Sequence, residues 1–205
     1  MTIRTTNEHA KTTRDHTIVI AGDRARATNE RDVWRIFDTK ANTVTFVDDI
    51  DRTVRTEPLT AFIARRRKAN AESIPPYFRR VAFRRMNESR VLAGASARRH
   101  VIESGGYRRE LWLAEHPAIP RGLFAMMHAS ETPTSPLAPM MRAVDEALMA
   151  TRGFPLLDRT EVPFADGTLV VERTVMSVVQ RDVPEAMLAV PRGYKDLTPK
   201  PPAPK

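Results

Sequence analysis

The first third of the chain alternates apolar and polar residues in short runs separated by polar turns. His16–Ala21 is a β-branched run closed by the turn pair Gly22-Asp23, and Arg24–Thr28 alternates charged and small residues as an exposed strand does. In Asp32–Asp38, Trp34 and Ile36 fall on one face, with Val33, Arg35 and Phe37 on the other. Asn42–Val47 groups Val44 with Phe46 opposite Thr43 and Thr45, and Ile50–Thr56 offers a further extended run after Asp48-Asp49. Short strands at this spacing predict an antiparallel meander.

At Pro58 the period changes. Leu59, Phe62 and Ile63 stand at i, i+3 and i+4, followed by Arg65, Arg66, Arg67 and Lys68, which predicts an amphipathic helix over Pro58–Ala71. Tyr77–Arg85 reads equally as helix or strand. Strands return at Ser89–Leu92, Ala97–Glu103 and Tyr107–Ala114, the last two joined by a Gly105-Gly106 hairpin turn. A second helix is predicted from an N-cap at Ser135 with Pro136 behind it, carrying a stripe of Leu137, Met140, Met141, Val144 and Leu148 and ending at Gly153. Phe154–Asp158, Glu161–Phe164 and the long run Thr168–Gln180 complete the β pattern, with Asp166-Gly167 as a turn. The last run is apolar on both faces and reads as a central strand. The expected class is therefore mainly β with α (α+β): one domain over residues 1–194, then a Pro/Lys-rich tail over 195–205 expected to be disordered.

Composition narrows the chemistry. With 205 residues the chain is long enough for one sizeable core, and it contains no cysteine, which removes disulfide, thiolate and iron–sulfur chemistry. Net charge is +8, almost all the positive charge being arginine, scattered rather than gathered in a block. That spread fits arginine-biased coding as well as an anion-binding surface. No run approaches the roughly 18 apolar residues that span a membrane. Met1 leads straight into a polar stretch, as in a cytoplasmic chain or one from which an export signal has been removed.

Candidate reactive groups are few. His9, His16, His100, His116 and His128 form no metal-ligand spacing and read as structural, with His100 an exposed or half-buried strand residue. Gly94-Ala95-Ser96-Ala97 lacks the second glycine of a nucleophile elbow. Asp48, Asp49 and Asp51 lack the central glycine of a calcium loop and read as a polar turn. No catalytic residue, metal or cofactor is expected. Arg65, Arg66, Arg67 and Lys68 either form a solvated outer face or meet an anionic membrane surface. Aromatics are sparse, and Trp34, Phe37 and Phe46 sit with acidic neighbours, which disfavours nucleic acid as a partner. Met126, Met127, Met140, Met141 and Met149 either pack a core or line a cavity for varied apolar partners.

A further set of residues lies in an order that resembles a bacterial family of exported domains of unknown function, related to the periplasmic lipoprotein carriers and outer-membrane lipoprotein receptors (the LolA/LolB-like superfamily). These are Gly22-Asp23-Arg24-Ala25-Arg26, the Asp38 turn with Val44–Phe46, Gly94 before Arg98–Glu103, Glu110-Leu111-Trp112, Gly153-Phe154-Pro155-Leu156 and Val190-Pro191-Arg192-Gly193-Tyr194. The resemblance runs from Thr17 to Tyr194, and it departs where members often carry a cysteine or aromatic after the glycine matching Gly94; here Ala95, Ser96 and Ala97 follow. It implies an antiparallel sheet curled into an incomplete barrel, with helices closing its concave side, and a periplasmic or otherwise exported location. It carries over no catalytic residue.

Two functions follow as expectations. One is a non-enzymatic envelope protein holding a lipid or acyl chain in a half-barrel cavity, lined by Leu59, Phe62, Ile63, Met140, Met141, Val144 and Leu148, with Trp34, Phe46 and Trp112 from the sheet. The alternative is a structural or interaction domain with a filled core and a basic surface for anionic partners. A hydrolase would need a convergence of His, Ser or carboxylate groups that no motif announces. No motif specifies ligand identity or oligomeric state.

Overall fold

In a computed structural model the chain is described for residues 1–28, 33–69, 81–131, 153–164 and 167–199, leaving aside the side chains of 66–69, 131 and 164. Its strands are β1 (Thr2–Asn7), β2 (Thr12–Ala21), β3 (Arg24–Thr28), β4 (Val33–Asp38), β5 (Thr43–Asp48), β6 (Thr53–Pro58), β7 (Ala82–Leu92), β8 (Ala95–Ser104), β9 (Tyr107–Ala114), β10 (Phe154–Phe164), β11 (Gly167–Ser177) and β12 (Lys195–Asp196). The helices are α1 (Leu59–Ala69) and α2 (Leu123–Glu131), with a short 3-10 turn at Glu185–Leu188. The strands form one open sheet in the order β12-β6-β5-β4-β3-β2-β1-β11-β10-β9-β8-β7. The mainly β, α+β class is as expected. This order runs from one edge to the other without closing, and does not by itself give the curl of an incomplete barrel.

Turn chemistry sets the register. Gly105 and Gly106 both have positive φ, as a two-residue hairpin between β8 and β9 requires. Asp48 Oδ1 accepts from the backbone N–H groups of Ile50 and Asp51, so the acidic run is the polar turn its composition suggests. Gly153 is needed for a different reason: its φ is +123°, and a Cβ there would stand 3.0 Å from the Ala114 carbonyl oxygen. It seats β10 against β9 as a close approach of two backbones.

Three elements differ from the sequence reading. The polar start of the chain forms β1, which pairs antiparallel with β11 and with Thr12–Thr17 of β2. Threonine-rich polar strands show no apolar alternation, so their period is invisible, though β-branching favours them. The residues before β10 contribute α2, whose side chains are almost all buried. A helix buried all round has no polar stripe to reveal a 3.6-residue period. Lys195 to Thr198, expected within a disordered tail, are paired with β6 instead. Lys195 donates its N–H to Arg52 O at 2.9 Å, Leu197 donates to Val54 O at 2.7 Å, and Thr198 Oγ1 accepts from Thr56 N. These bonds add β12 parallel to β6. The helix predicted after Ser135 lies outside the described residues.

The two faces of β4 and β5 carry separate cores. Phe37 and Val44 join Leu59 and Phe62 of α1 and Leu123, Phe124 and Met126 of α2 in the main cluster. Trp34, Ile36 and Val47 pack on the other face with Val54 and Tyr194. The segment after β11 crosses that second face. Arg24 donates to Leu188 O at 2.7 Å and Arg26 to Met187 O at 3.3 Å, while the Arg26 guanidinium lies 3.8 Å above the Trp34 ring. Asp49 accepts from both Trp34 Nε1 and the Tyr194 hydroxyl. Leu188, 3% exposed, is the buried foot of this strap. Leu188→Ala is expected to lower unfolding stability by about 2–5 kcal/mol in urea titrations. A cost within about 0.5 kcal/mol, the range of a surface substitution, would show that the strap does not contribute to the fold.

Candidate functional site

Among the described residues, the strongest concentration of buried charge lies where β9, β10 and α2 meet. Arg109 on β9 and Asp158 on β10 are 2% and 3% exposed, and the guanidinium forks onto the carboxylate with Nε to Oδ1 at 2.7 Å and Nη2 to Oδ2 at 2.6 Å. Across the register Asp158 lies opposite Leu111 and Arg109 opposite Thr160, so the pair bridges the two strands diagonally. His128 of α2 brings Nε2 to 3.3 Å from Arg109 Nη1. Guanidinium only donates, so Nε2 accepts and the ring proton belongs on Nδ1. Phe124, one turn earlier, stacks on the His128 ring at 6.0 Å. Arg173 of β11 sits opposite Asp158, with Nη1 4.0 Å from Oδ2.

The electrostatics of the pair are set by two opposed effects. Burial penalises the charged form of Asp158, but the Arg109 charge and its hydrogen bonds outweigh that and hold the carboxyl below its usual range. Burial likewise favours loss of the Arg109 proton, and the Asp158 charge reverses this, raising its pKa. The neighbouring Tyr107 hydroxyl is pushed up by burial.

Beside this cluster is a cavity of about 490 Å³, lined by Ile3, Thr5, His16, Ile18, Ala27, Thr28, Phe124, Met127, His128, Phe154, Pro155, Asp158 and Arg173. It lies at a step in the sheet. β2 pairs with β1 through Thr12–Thr17 and with β3 through Ile18–Ala21, so its two neighbours meet different halves of the strand. His16 and Ile18 flank that step. Phe124, Met127 and His128, at i, i+3 and i+4, bring one face of α2 over it. A second cavity of about 740 Å³ lies among Gly22, Asp23, the Glu115–Arg121 loop, Gly153 and Gln180.

Of the described candidates, Leu59, Phe62, Ile63, Trp34, Phe46 and Trp112 are not in the lining of either cavity. Leu59 and Phe62 are buried in the main core and Ile63 packs against it. Phe46 stacks on Phe62 at 5.0 Å, with the Arg35 and Arg55 guanidinium groups over its ring. Trp34 belongs to the opposite face, because strand alternation separates it from Arg35 and Phe37. Trp112 shares the face of Glu110: its Nε1 donates to Glu110 Oε1 at 2.8 Å and Arg90 lies 4.0 Å above its ring. Met140, Met141, Val144 and Leu148 lie outside the described residues, as do the side chains of Arg66, Arg67 and Lys68. Arg65 forks onto Glu57 at 2.6 and 2.8 Å, an internal partner that raises its pKa. His100 proves buried rather than half-exposed: it bonds Arg98 O, stacks near Phe83, and burial lowers its pKa. The methionine signal does reach the cavity, through Met127. Arg109, Asp158, His128 and Arg173 come from four elements, and no local spacing joins them. Among the described residues no cluster of three or more His, Cys, Asp or Glu side chains could hold a metal.

Among known proteins, no family model and no curated protein matches the chain. Solved structures similar to it include two of PNGF-II. In the C2 space group the TM-score is 0.48 and identity 12%, covering 97% of this chain and 30% of that one. In the P21 space group the TM-score is 0.46 and identity 10%, covering 97% and 31%. The chain thus spans under a third of those proteins, and similarity at this level carries no argument about fold or function. The resemblance to the exported family rests on the residues quoted for it.

Asp158→Asn should cost about 3–5 kcal/mol of stability, because it leaves Arg109 buried without its counter-charge. Arg109→Met/Asp158→Leu should cost less than the sum of its single changes. The folded-state pKa of Asp158 lies below the unfolded value near 3.8. Its contribution is therefore complete above that pH and is lost as pH falls through the folded pKa. Urea titrations across this acid range should show a shallower pH slope for Asp158→Asn than for the wild type. Equal slopes would remove Asp158 from the acid response.

Proposed function

We propose that this chain is a non-enzymatic binding protein that holds an apolar ligand, such as a lipid or an acyl chain, in the cavity beneath α2. The observation that carries the reading is the cavity itself. At about 490 Å³ it falls within the roughly 300–1,000 Å³ common for small-molecule sites. Ile3, Ile18, Ala27, Phe124, Met127 and Phe154 supply apolar wall, and polar groups gather around Arg173 and Asp158. Each methylene transferred from water to such a wall is worth about 0.8 kcal/mol, so burial alone can retain a chain. Met127 adds an adaptable side chain to the wall. A sheet curled around the two helices, as the resemblance implies, would put this cavity on its concave side. That curl and a periplasmic location belong to the same proposal.

The alternative, an interaction domain with a filled core and a basic surface, draws on the close packing of Leu59, Phe62 and Phe46. Against its basic surface, Arg99 pairs with Glu88 and Glu110, Arg159 with Glu8, Glu161 and Glu172, and Arg4 with Asp15. Much of the arginine charge is met within the chain.

Native mass spectrometry of the purified protein, with organic extraction and lipid analysis, separates the two. The binding reading expects an acyl species near one per chain, or uptake of added fatty acid or phospholipid. Met127→Trp, which fills the cavity, should reduce that uptake at least tenfold with an unchanged circular dichroism spectrum. A clean apo mass with no uptake favours the interaction domain instead.

A further inference from the structure

The strap after β11 is joined to the rest of the chain differently from any other strand-bearing segment. Val178 packs against the main core, and in residues 179–199 Leu188 is the one buried side chain. Among the described residues, 179–183 make no hydrogen bond, so they act as a tether. Beyond it the strap is held mainly through its backbone. The carbonyls of Met187 and Leu188 accept from Arg26 and Arg24, and the N–H groups of Lys195 and Leu197 donate to the carbonyls of Arg52 and Val54. Side chains add two further bonds: the Tyr194 hydroxyl donates to Asp49 at 2.9 Å, and Thr198 Oγ1 accepts from Thr56 N at 2.9 Å. Every group that meets the strap in these bonds belongs to β3, β6 or the turns beside β6. Those elements are fixed by their own antiparallel pairing, β3 with β4, β4 with β5 and β5 with β6. They therefore keep their places when the strap leaves.

We propose that the β6 edge and the Arg24–Arg26–Trp34 surface beside it form a strand-acceptor site, that residues 185–198 are its tethered ligand, and that the same segment of a second copy of this chain takes the site when the strap opens. The inference stands apart from the apolar cavity and adds a peptide-binding surface on the opposite face of the sheet. Strand addition of this kind draws its affinity from main-chain hydrogen bonds and its selectivity from a few side chains. Here Leu188, Tyr194 and Thr198 supply that selectivity. A segment with one buried side chain and exposed backbone bonds opens at a lower free energy than the sheet it lies on. A short tether holds its ligand at a millimolar effective concentration, so the chain's own strap excludes a second one until its hold is weakened.

Fluorescence anisotropy of a fluorescein-labelled peptide, Glu185–Pro199, titrated with the full chain tests this. Leu188→Ala in the full chain weakens its own strap and leaves every acceptor group in place, so it should tighten peptide binding at least tenfold over wild type. Arg24→Gln added to that variant removes the partner of the Leu188 carbonyl and should weaken the peptide at least threefold. A scrambled peptide of the same composition should bind at least tenfold more weakly than the native order. Absence of binding to folded Leu188→Ala, affinity unmoved by Leu188→Ala, or equal binding of the scrambled peptide would each overturn the proposal. If Leu188→Ala loses its fold, hydrogen exchange of the wild type decides. The Thr56, Lys195 and Leu197 amides should then exchange together, at least tenfold faster than the interior amides of β4. Equal rates would show that the strap opens only with the sheet, and would overturn the acceptor site.

Discussion

The buried pair of Arg109 and Asp158 constrains the fold around it more tightly than any apolar contact. Taking a guanidinium and a carboxylate out of water costs several kcal/mol per ion, and the loss is recovered only with good geometry and full hydrogen bonding. Here the fork is bidentate, and a third nitrogen of Arg109 reaches His128. Satisfying that geometry requires β9 and β10 in a particular register and α2 at a particular rotation. A one-residue slip of either strand would turn one charge to the opposite face. The pair therefore specifies position even where it adds little net stability.

Position is what the cavity needs. With α2 held through His128, Phe124 and Met127 face the step in β2, where β1 leaves off and β3 begins. A sheet with complete pairing along β2 would bring β3 further over this region. On the other face, the strap from Glu185 to Thr198 crosses the apolar surface of β4 and β5, and Trp34, buried there, shares Asp49 with the partly exposed Tyr194. The helix-bearing face keeps a cavity and the strap-bearing face is packed.

The strands were legible wherever one face was buried. Alternation in Asp32–Asp38 and Asn42–Val47 correctly separated Trp34 and Ile36 from Phe37, and Val44 from its threonines, because a two-residue period reports a two-sided environment. It could not report β1, whose threonines are polar on both faces, or α2, which is apolar nearly all round. The cavity was less legible still. Its residues come from Ile3 to Arg173, assembled by long-range pairing of β1 with β11 and by a helix whose own pattern is silent. The amphipathic stripe of α1 is legible in the sequence both as core and as ligand lining, and Leu59 and Phe62 are buried in the core. An apolar stripe says that a face is covered without saying whether protein or ligand covers it. Arg109 and Asp158 lie 49 residues apart, beyond the reach of any local motif.

The most direct test of the account is to locate a ligand. Crystals grown with 12-bromododecanoate should show one anomalous bromine peak inside the cavity bounded by Ile3, Ile18, Phe124 and Met127. A bromine peak elsewhere, or an empty cavity at saturating ligand, would contradict it.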